Sequence, residues 1–262
     1  FGINKMKIPI LMYHSISNGS HPLSVSLNNF EKQMKFMSNS GYKSINLSDL
    51  NNVYDEHEIE SYSKIKNYDG SQKIITKNSN KKYFIITFDD GYEDIYINAL
   101  PILKKYSYKS VCFFVPEFIG KYNIWDENKE DFIKLNLMNI GQIKNWSYEG
   151  MSVGSHTSSH KNLNKINYNE KLYQILSPKK FFFEKLSLNI NSFSYPFGQF
   201  DNESVEIVKK NYDFAVTTKR SRYEQDKFEF SLLPRIPINK TDSMFKFYLK
   251  IKTIYEDIKY KS

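Results

Sequence analysis

Seven short apolar runs punctuate the chain, at Ile8–Tyr13, Lys43–Asn46, Tyr83–Phe88, Ser110–Val115, Met151–Ser155, Ser192–Tyr195 and Phe214–Thr217, with a further candidate at Ser231–Arg235. Each has the length of a strand and ends in turn or polar residues, and the stretches between them carry helical spacing. Leu27, Phe30, Met34 and Met37 fall on one helical face and stop before Gly41, which predicts a helix over Ser26–Ser40. Similar patterns predict helices over Glu93–Tyr106, Asn169–Leu186, Asn202–Asn211 and Ser243–Lys259, with Pro101 and Pro178 expected to kink or split two of them. Strands alternating with helices define an α/β domain rather than a sandwich or a bundle, and seven or eight strands point to a barrel.

The 262 residues suit one domain spanning residues 1–262. Tyr54–Asn80 is polar and unpatterned, far longer than an ordinary connection of about 4–6 residues, and is expected to be a surface insertion. A second irregular stretch, Glu117–Leu137, carries Trp125, which is either a groove-lining ring or local packing. No run approaches the roughly 18 uninterrupted apolar residues of a membrane-spanning helix. The single cysteine, Cys112, sits in an apolar run and is expected to pack in the core. The net charge of +8 raises the question of nucleic acid, but of 37 basic residues only Arg220, Arg222 and Arg235 are arginines. Arginine dominates phosphate and base recognition, so a lysine-covered surface is expected instead, with no nucleic-acid partner.

Three strand ends carry the chemistry. Thr87-Phe88-Asp89-Asp90-Gly91-Tyr92 places two carboxylates at a strand tip, where α/β enzymes keep catalytic groups. Adjacent side chains on a strand point to opposite faces, so both serve one site only if the backbone turns, as Gly91 permits. The competing reading is a turn that merely caps the next helix. In Gly154-Ser155-His156-Thr157-Ser158-Ser159-His160, two of the five histidines lie four apart, where a turn of helix would bring both imidazoles to one side. With one carboxylate they make a divalent-metal set that leaves positions open; the alternative is a chance surface pair. Phe193-Ser194-Tyr195-Pro196-Phe197-Gly198 is, in isolation, only a turn.

Taken in order, Thr87-Phe88-Asp89-Asp90-Gly91, Ser155-His156-Thr157-Ser158-Ser159-His160 and Tyr195-Pro196-Phe197-Gly198 resemble the motifs of the metal-dependent polysaccharide deacetylases with a NodB-homology domain, carbohydrate esterase family four. The resemblance spans roughly Ile8 to Ile238. The opening Pro9-Ile10-Leu11-Met12-Tyr13-His14-Ser15-Ile16 is similar to the branch that deacetylates poly-β-1,6-N-acetylglucosamine. The resemblance implies a distorted (β/α)7-type barrel. It also implies Asp90, His156 and His160 as metal ligands, Asp89 as general base, and the backbone N–H of Phe197, with Tyr195 beside it, at the oxyanion and substrate. One divalent ion is implied, zinc first, with cobalt, nickel, iron and manganese also suited to two imidazoles and a carboxylate.

Two departures stand out. Most members place an arginine two residues before the proline of the third motif to orient the base, and this chain has Ser194 there. Arg235 is the candidate substitute, with a structural salt bridge as the alternative. Most members also end with a Leu-x-His whose histidine protonates the leaving amine, and no histidine follows His160. The general acid is then His14, His21, His57, a water, or absent, and the early Tyr-His of the resembling branch favours His14.

The expected function is removal of N-acetyl groups from a cell-surface poly-β-1,6-N-acetylglucosamine polymer, with release of acetate, in an extracytoplasmic location and in peripheral association with the envelope. Rivals are a deacetylase of peptidoglycan, chitin oligosaccharide or acetylxylan, and a carbohydrate-binding protein that has lost turnover. A phosphoesterase using the Asp-Asp pair is disfavoured because no glycine-rich phosphate cradle accompanies it.

Overall fold

The structure, a computed structural model, describes residues 6–50, 52–53, 62–66, 72–76 and 81–259. Its centre is a parallel sheet of β1 (Ile10–Tyr13), β2 (Tyr42–Ser44), β3 (Lys82–Phe88), β4 (Val111–Phe114), β5 (Ser152–Ser155), β6 (Ser192–Ser194), β7 (Phe214–Val216) and β8 (Ile236–Pro237). The order is β7-β6-β5-β4-β3-β1-β8. β3 pairs with β2 from Lys82 to Phe84 and with β1 from Ile85 to Phe88. The sheet curls, and Leu233–Ile238 bridges its open side. The Leu233 N–H donates to Ala215 O at 2.8 Å, Thr217 N–H donates to Leu233 O at 2.9 Å, and Ile236 and Pro237 pair with Leu11 and Met12 of β1. The expected α/β architecture of distorted-barrel type is what these strands form.

β1 and β4 are buried at every position, which explains why they read as continuous apolar runs and not as alternating ones. Alternation instead sorts their side chains between two cores. Ile10, Ile85, Val111, Phe113, Phe214, Val216 and Leu233 pack together inside the curl. Leu11, Tyr13, Ile86, Phe88, Cys112, Phe114, Phe193 and Ala215 join the helices in the outer core, so Cys112 is buried as expected.

The helices are α1 (Leu27–Asn39), α2 (Leu100–Lys105), α3 (Ile140–Tyr148), α4 (Tyr168–Leu186), α5 (Asn202–Asn211), α6 (Met244–Lys252) and α7 (Tyr255–Lys259). α1 and α5 fall where the spacing puts them. Several elements differ from the sequence reading. Ahead of Pro101, the predicted helix widens into a π turn over Ile95–Ala99, with the Leu100 N–H reaching back to Ile95 O, and then continues as α2. Pro178 does not split α4, whose Ile175, Pro178 and Phe182 are buried; that packing outweighs the missing bond and ring clash, about 3 kcal/mol. The helix expected over Ser243–Lys259 breaks between α6 and α7, where Thr253 Oγ accepts the Tyr255 N–H at 3.1 Å. α3 goes unassigned in the sequence because only Ile143 and Trp146 are buried from it, too few to mark a period. The late strand lies at β8, after a 3-10 turn at Phe230–Leu232, because Pro234 has no N–H and Arg235 donates its own to Lys219 O.

Inside the stretch read as an unpatterned insertion, Tyr62–Lys66 and Gln72–Thr76 pair antiparallel, from Tyr62↔Thr76 to Lys66↔Gln72. His57 lies outside the described residues. Among the described residues no helix is long and apolar enough to cross a membrane.

Candidate active site

Asp89 follows β3 directly, and its N–H donates to Tyr13 O at 3.0 Å. Asp90 and Gly91 then both adopt left-handed backbone, with φ of 72° and 76°. Aspartate tolerates that region better than most residues. At Gly91 a Cβ would stand 2.5 Å from Phe114 Cδ1, so glycine is required there. This turn answers the strand-alternation problem: Asp89 and Asp90 both line the same cleft. The capping alternative for the motif loses its force.

His156 and His160 do converge, but through a turn with left-handed Thr157 (φ 63°) and His160 (φ 58°), not through the expected turn of helix. Their ring centroids are 4.8 Å apart. The Nε2 atoms of His156 and His160 stand 3.4 Å and 3.3 Å from Asp90 Oδ1, and all three side chains are at least nine-tenths buried. His156 Nδ1 lies 2.8 Å from the Ser194 carbonyl oxygen, which fixes the proton on Nδ1 and leaves the Nε2 lone pair facing Asp90. Asp90 Oδ1 is fully buried, yet no hydrogen bond satisfies it. A buried carboxylate oxygen left without a donor, with two imidazole nitrogens converging on it, fits a divalent cation, and one ligand atom from each residue lies within 4.8 Å of the others.

Asp89 has a different neighbour. Arg235 is completely buried, with Nη1 2.7 Å from Asp89 Oδ1 and Nη2 2.7 Å from Oδ2. Its Nε donates to Thr217 O at 2.9 Å, and Thr87 Oγ and Ser194 Oγ accept at 3.1 Å and 3.2 Å. Burial alone would raise the Asp89 carboxyl, but the Arg235 charge and the guanidinium hydrogen bonds bring it below its ordinary value. The small Ser194 side chain leaves room for the guanidinium and donates to Asp89 Oδ1 at 3.3 Å. The two sequence readings of Arg235 thus merge: it is a buried ion pair, and its partner is the candidate base.

His14, Asp89, Asp90, His156, His160, Tyr195 and Phe197 line one cleft of about 140 Å3, together with Trp125, Asp126, Lys129 and Thr218. Tyr195 is buried, and its hydroxyl donates to Ser231 O at 3.2 Å, so its phenol is occupied within the fold. Phe197 is left-handed, with φ of 59°, and its ring packs edge-on to His160 at 4.7 Å. Trp125 lies against His160 at 4.5 Å and against Phe118 at 5.6 Å, so it both lines the cleft and packs locally. His21 stands in an adjoining lobe. Sequence reasoning passed over the Ser194 carbonyl, because a backbone partner leaves no trace in residue identity, and over Thr218, which no motif marks.

Residues 76–213, more than half of the chain, match the polysaccharide deacetylase family. The chain therefore belongs to that family, whose members are enzymes acting on polysaccharides. YxkH of Bacillus subtilis (strain 168), a polysaccharide deacetylase by name, is 29% identical over 247 residues, 93% of this chain and 76% of its own length. The poly-β-1,6-N-acetyl-D-glucosamine N-deacetylase of Staphylococcus aureus (strain MRSA252) is 25% identical over 176 residues, 65% of this chain and 58% of that enzyme. The crystal structure of a polysaccharide deacetylase from Bacillus cereus has a TM-score of 0.72 at 26% identity, covering 95% of this chain and 70% of that one.

Proposed function

We propose that this chain is a metal-dependent hydrolase that removes N-acetyl groups from a cell-surface poly-β-1,6-N-acetylglucosamine polymer, in an extracytoplasmic setting, with release of acetate. The observation that carries the reading is the division of labour between adjacent carboxylates: Asp90 faces His156 and His160, whereas Asp89 is held by Arg235. Asp90, His156 and His160 would hold the ion, zinc first among cobalt, nickel, iron and manganese. When bound, such an ion polarises the acetamide carbonyl and acidifies water in its shell.

The remaining work falls to the chain's own residues. Asp89 takes the proton of the attacking water, and Arg235 keeps that carboxylate ionised and aimed. The water oxygen bonds to the acetamide carbon, and the backbone N–H of Phe197, with Tyr195 behind it, faces the developing oxyanion. As the carbon–nitrogen bond breaks, His14 gives a proton to the leaving amine, so the products are acetate and a glucosamine unit. Arg235 on Asp89 also removes the motive for reading Ser194 as the mark of a chain without turnover. The β-1,6-linked substrate is supported by the Tyr13-His14 opening and by the Staphylococcus aureus enzyme's name.

Acetate release from β-1,6-N-acetylglucosamine oligomers, chitin oligomers and acetylxylan, before and after chelation and metal return, tests this. Metal-dependent release greatest on the β-1,6 substrate is expected. Greater release from another polymer corrects the substrate, and no release with metal present overturns the activity.

A further inference from the structure

Next to the reaction cleft is a second lobe of about 240 Å3, and the two share Leu23, Asp126 and Lys129 as a common sill. Within it His21 is 8% exposed. Its Nδ1 accepts the Leu23 N–H at 3.3 Å, so the neutral ring carries its proton on Nε2. Burial lowers the affinity of this imidazole for a second proton, and that outweighs the nearby Asp126 carboxylate. No hydrogen-bond partner meets Nε2 among the described residues. The ring packs against Tyr92, centroid to centroid 6.1 Å. Asp126 is tied to Lys129, and Phe132 adds an apolar wall. A nearly buried imidazole whose N–H meets no partner among the described residues, in a lobe lined also by the Phe132 ring and the Asp126 carboxylate, suits a sugar ring: hydroxyl oxygens at its edge and C–H surface on its faces.

We propose that this lobe binds the sugar unit adjoining the one being deacetylated, with His21 Nε2–H donating to an oxygen of that unit. The inference rests on the deacetylase reading, because the shared sill makes the two lobes neighbours along one polymer. It also gives His21 a role other than general acid.

The test uses a β-1,6-linked N-acetylglucosamine tetramer and the metal-loaded enzyme. A lost neutral hydrogen bond is worth about 1 kcal/mol, so His21→Ala should raise KM by about 3- to 10-fold, more than it lowers kcat. His21→Gln, which keeps an N–H donor at similar reach, should recover most of that change. An unaltered KM, a kcat effect larger than the KM effect, or equal damage in both variants overturns the proposal. If the wild-type enzyme releases no acetate from any polymer, the deacetylase reading itself has failed. Calorimetric titration with the same tetramer then decides the lobe separately: binding weakened in His21→Ala and recovered in His21→Gln supports it, and equal or absent binding refutes it.

Discussion

Arg235 and Asp89, 146 positions apart in sequence, meet as a buried pair with Nη1 and Nη2 each 2.7 Å from one carboxylate oxygen. The fork fixes the carboxylate plane as well as its charge. Arg235→Lys keeps the charge but not the fork, and kcat is expected to fall about tenfold. Arg235→Met strands a buried carboxylate and should also lower stability by about 3–5 kcal/mol in denaturant titrations. The sign of the pH effect follows. Arg235 lowers the Asp89 pKa, and the base works ionised, so its removal should move the acidic limb of the kcat/KM profile to higher pH. A limb that stays in place would separate Arg235 from the base.

Metal content and turnover should part company across the carboxylate pair. Asp90→Ala and His156→Ala are expected to lose both, measured by elemental analysis and acetate release. Asp89→Asn should keep the metal while losing about 10²- to 10⁴-fold in kcat. Undiminished turnover in Asp89→Asn would remove its assignment as base.

His14→Ala should cut turnover about 100-fold with the metal retained. The chain just after His14 is clamped: Asp94 accepts from Ser15 Oγ at 2.5 Å and from the Ile16 N–H at 3.0 Å, and Asn98 donates to Ile16 O at 2.7 Å. Asp94→Ala should therefore reduce kcat in the same direction by a smaller factor. Full activity in His14→Ala would pass the acid role to water.

Gly198 has φ of 65°, and a Cβ there would lie 1.9 Å from Thr218 Oγ. Gly198→Ala must shift the third motif, at an expected stability loss of about 1–3 kcal/mol and with impaired turnover. Thermal and urea unfolding of this variant measure the first effect, and acetate release the second.

At the C-terminal end, burial would raise the Asp257 carboxyl, but Arg222, with help from Lys7, takes it from 3.8 down to about 2. A depressed folded-state value means the stabilisation is present above the unfolded pKa and lost as pH falls from about 4 to 2. Asp257→Asn should lower stability by about 2 kcal/mol at neutral pH and flatten that acid limb. An unchanged acid limb would mean that other carboxylates govern it.

What the amino-acid order determined by itself is local. Strand-length apolar runs ending in Asp89-Asp90-Gly91, His156 to His160 and Tyr195 to Gly198 made the parallel sheet and the carboxylate and imidazole sets legible, because strand burial and turn chemistry act over a few residues. α3 and the antiparallel pairing inside the insertion escaped notice because their patterns are short or polar. The tertiary structure alone decided that Arg235 faces Asp89 and not some other acid, that the Ser194 carbonyl orients His156, and that His14 shares a cleft with both motifs while His21 occupies the lobe beside it. Those contacts depend on how far the sheet curls before Leu233–Ile238 bridges it, and side chains brought together by curvature leave no periodic mark along the chain.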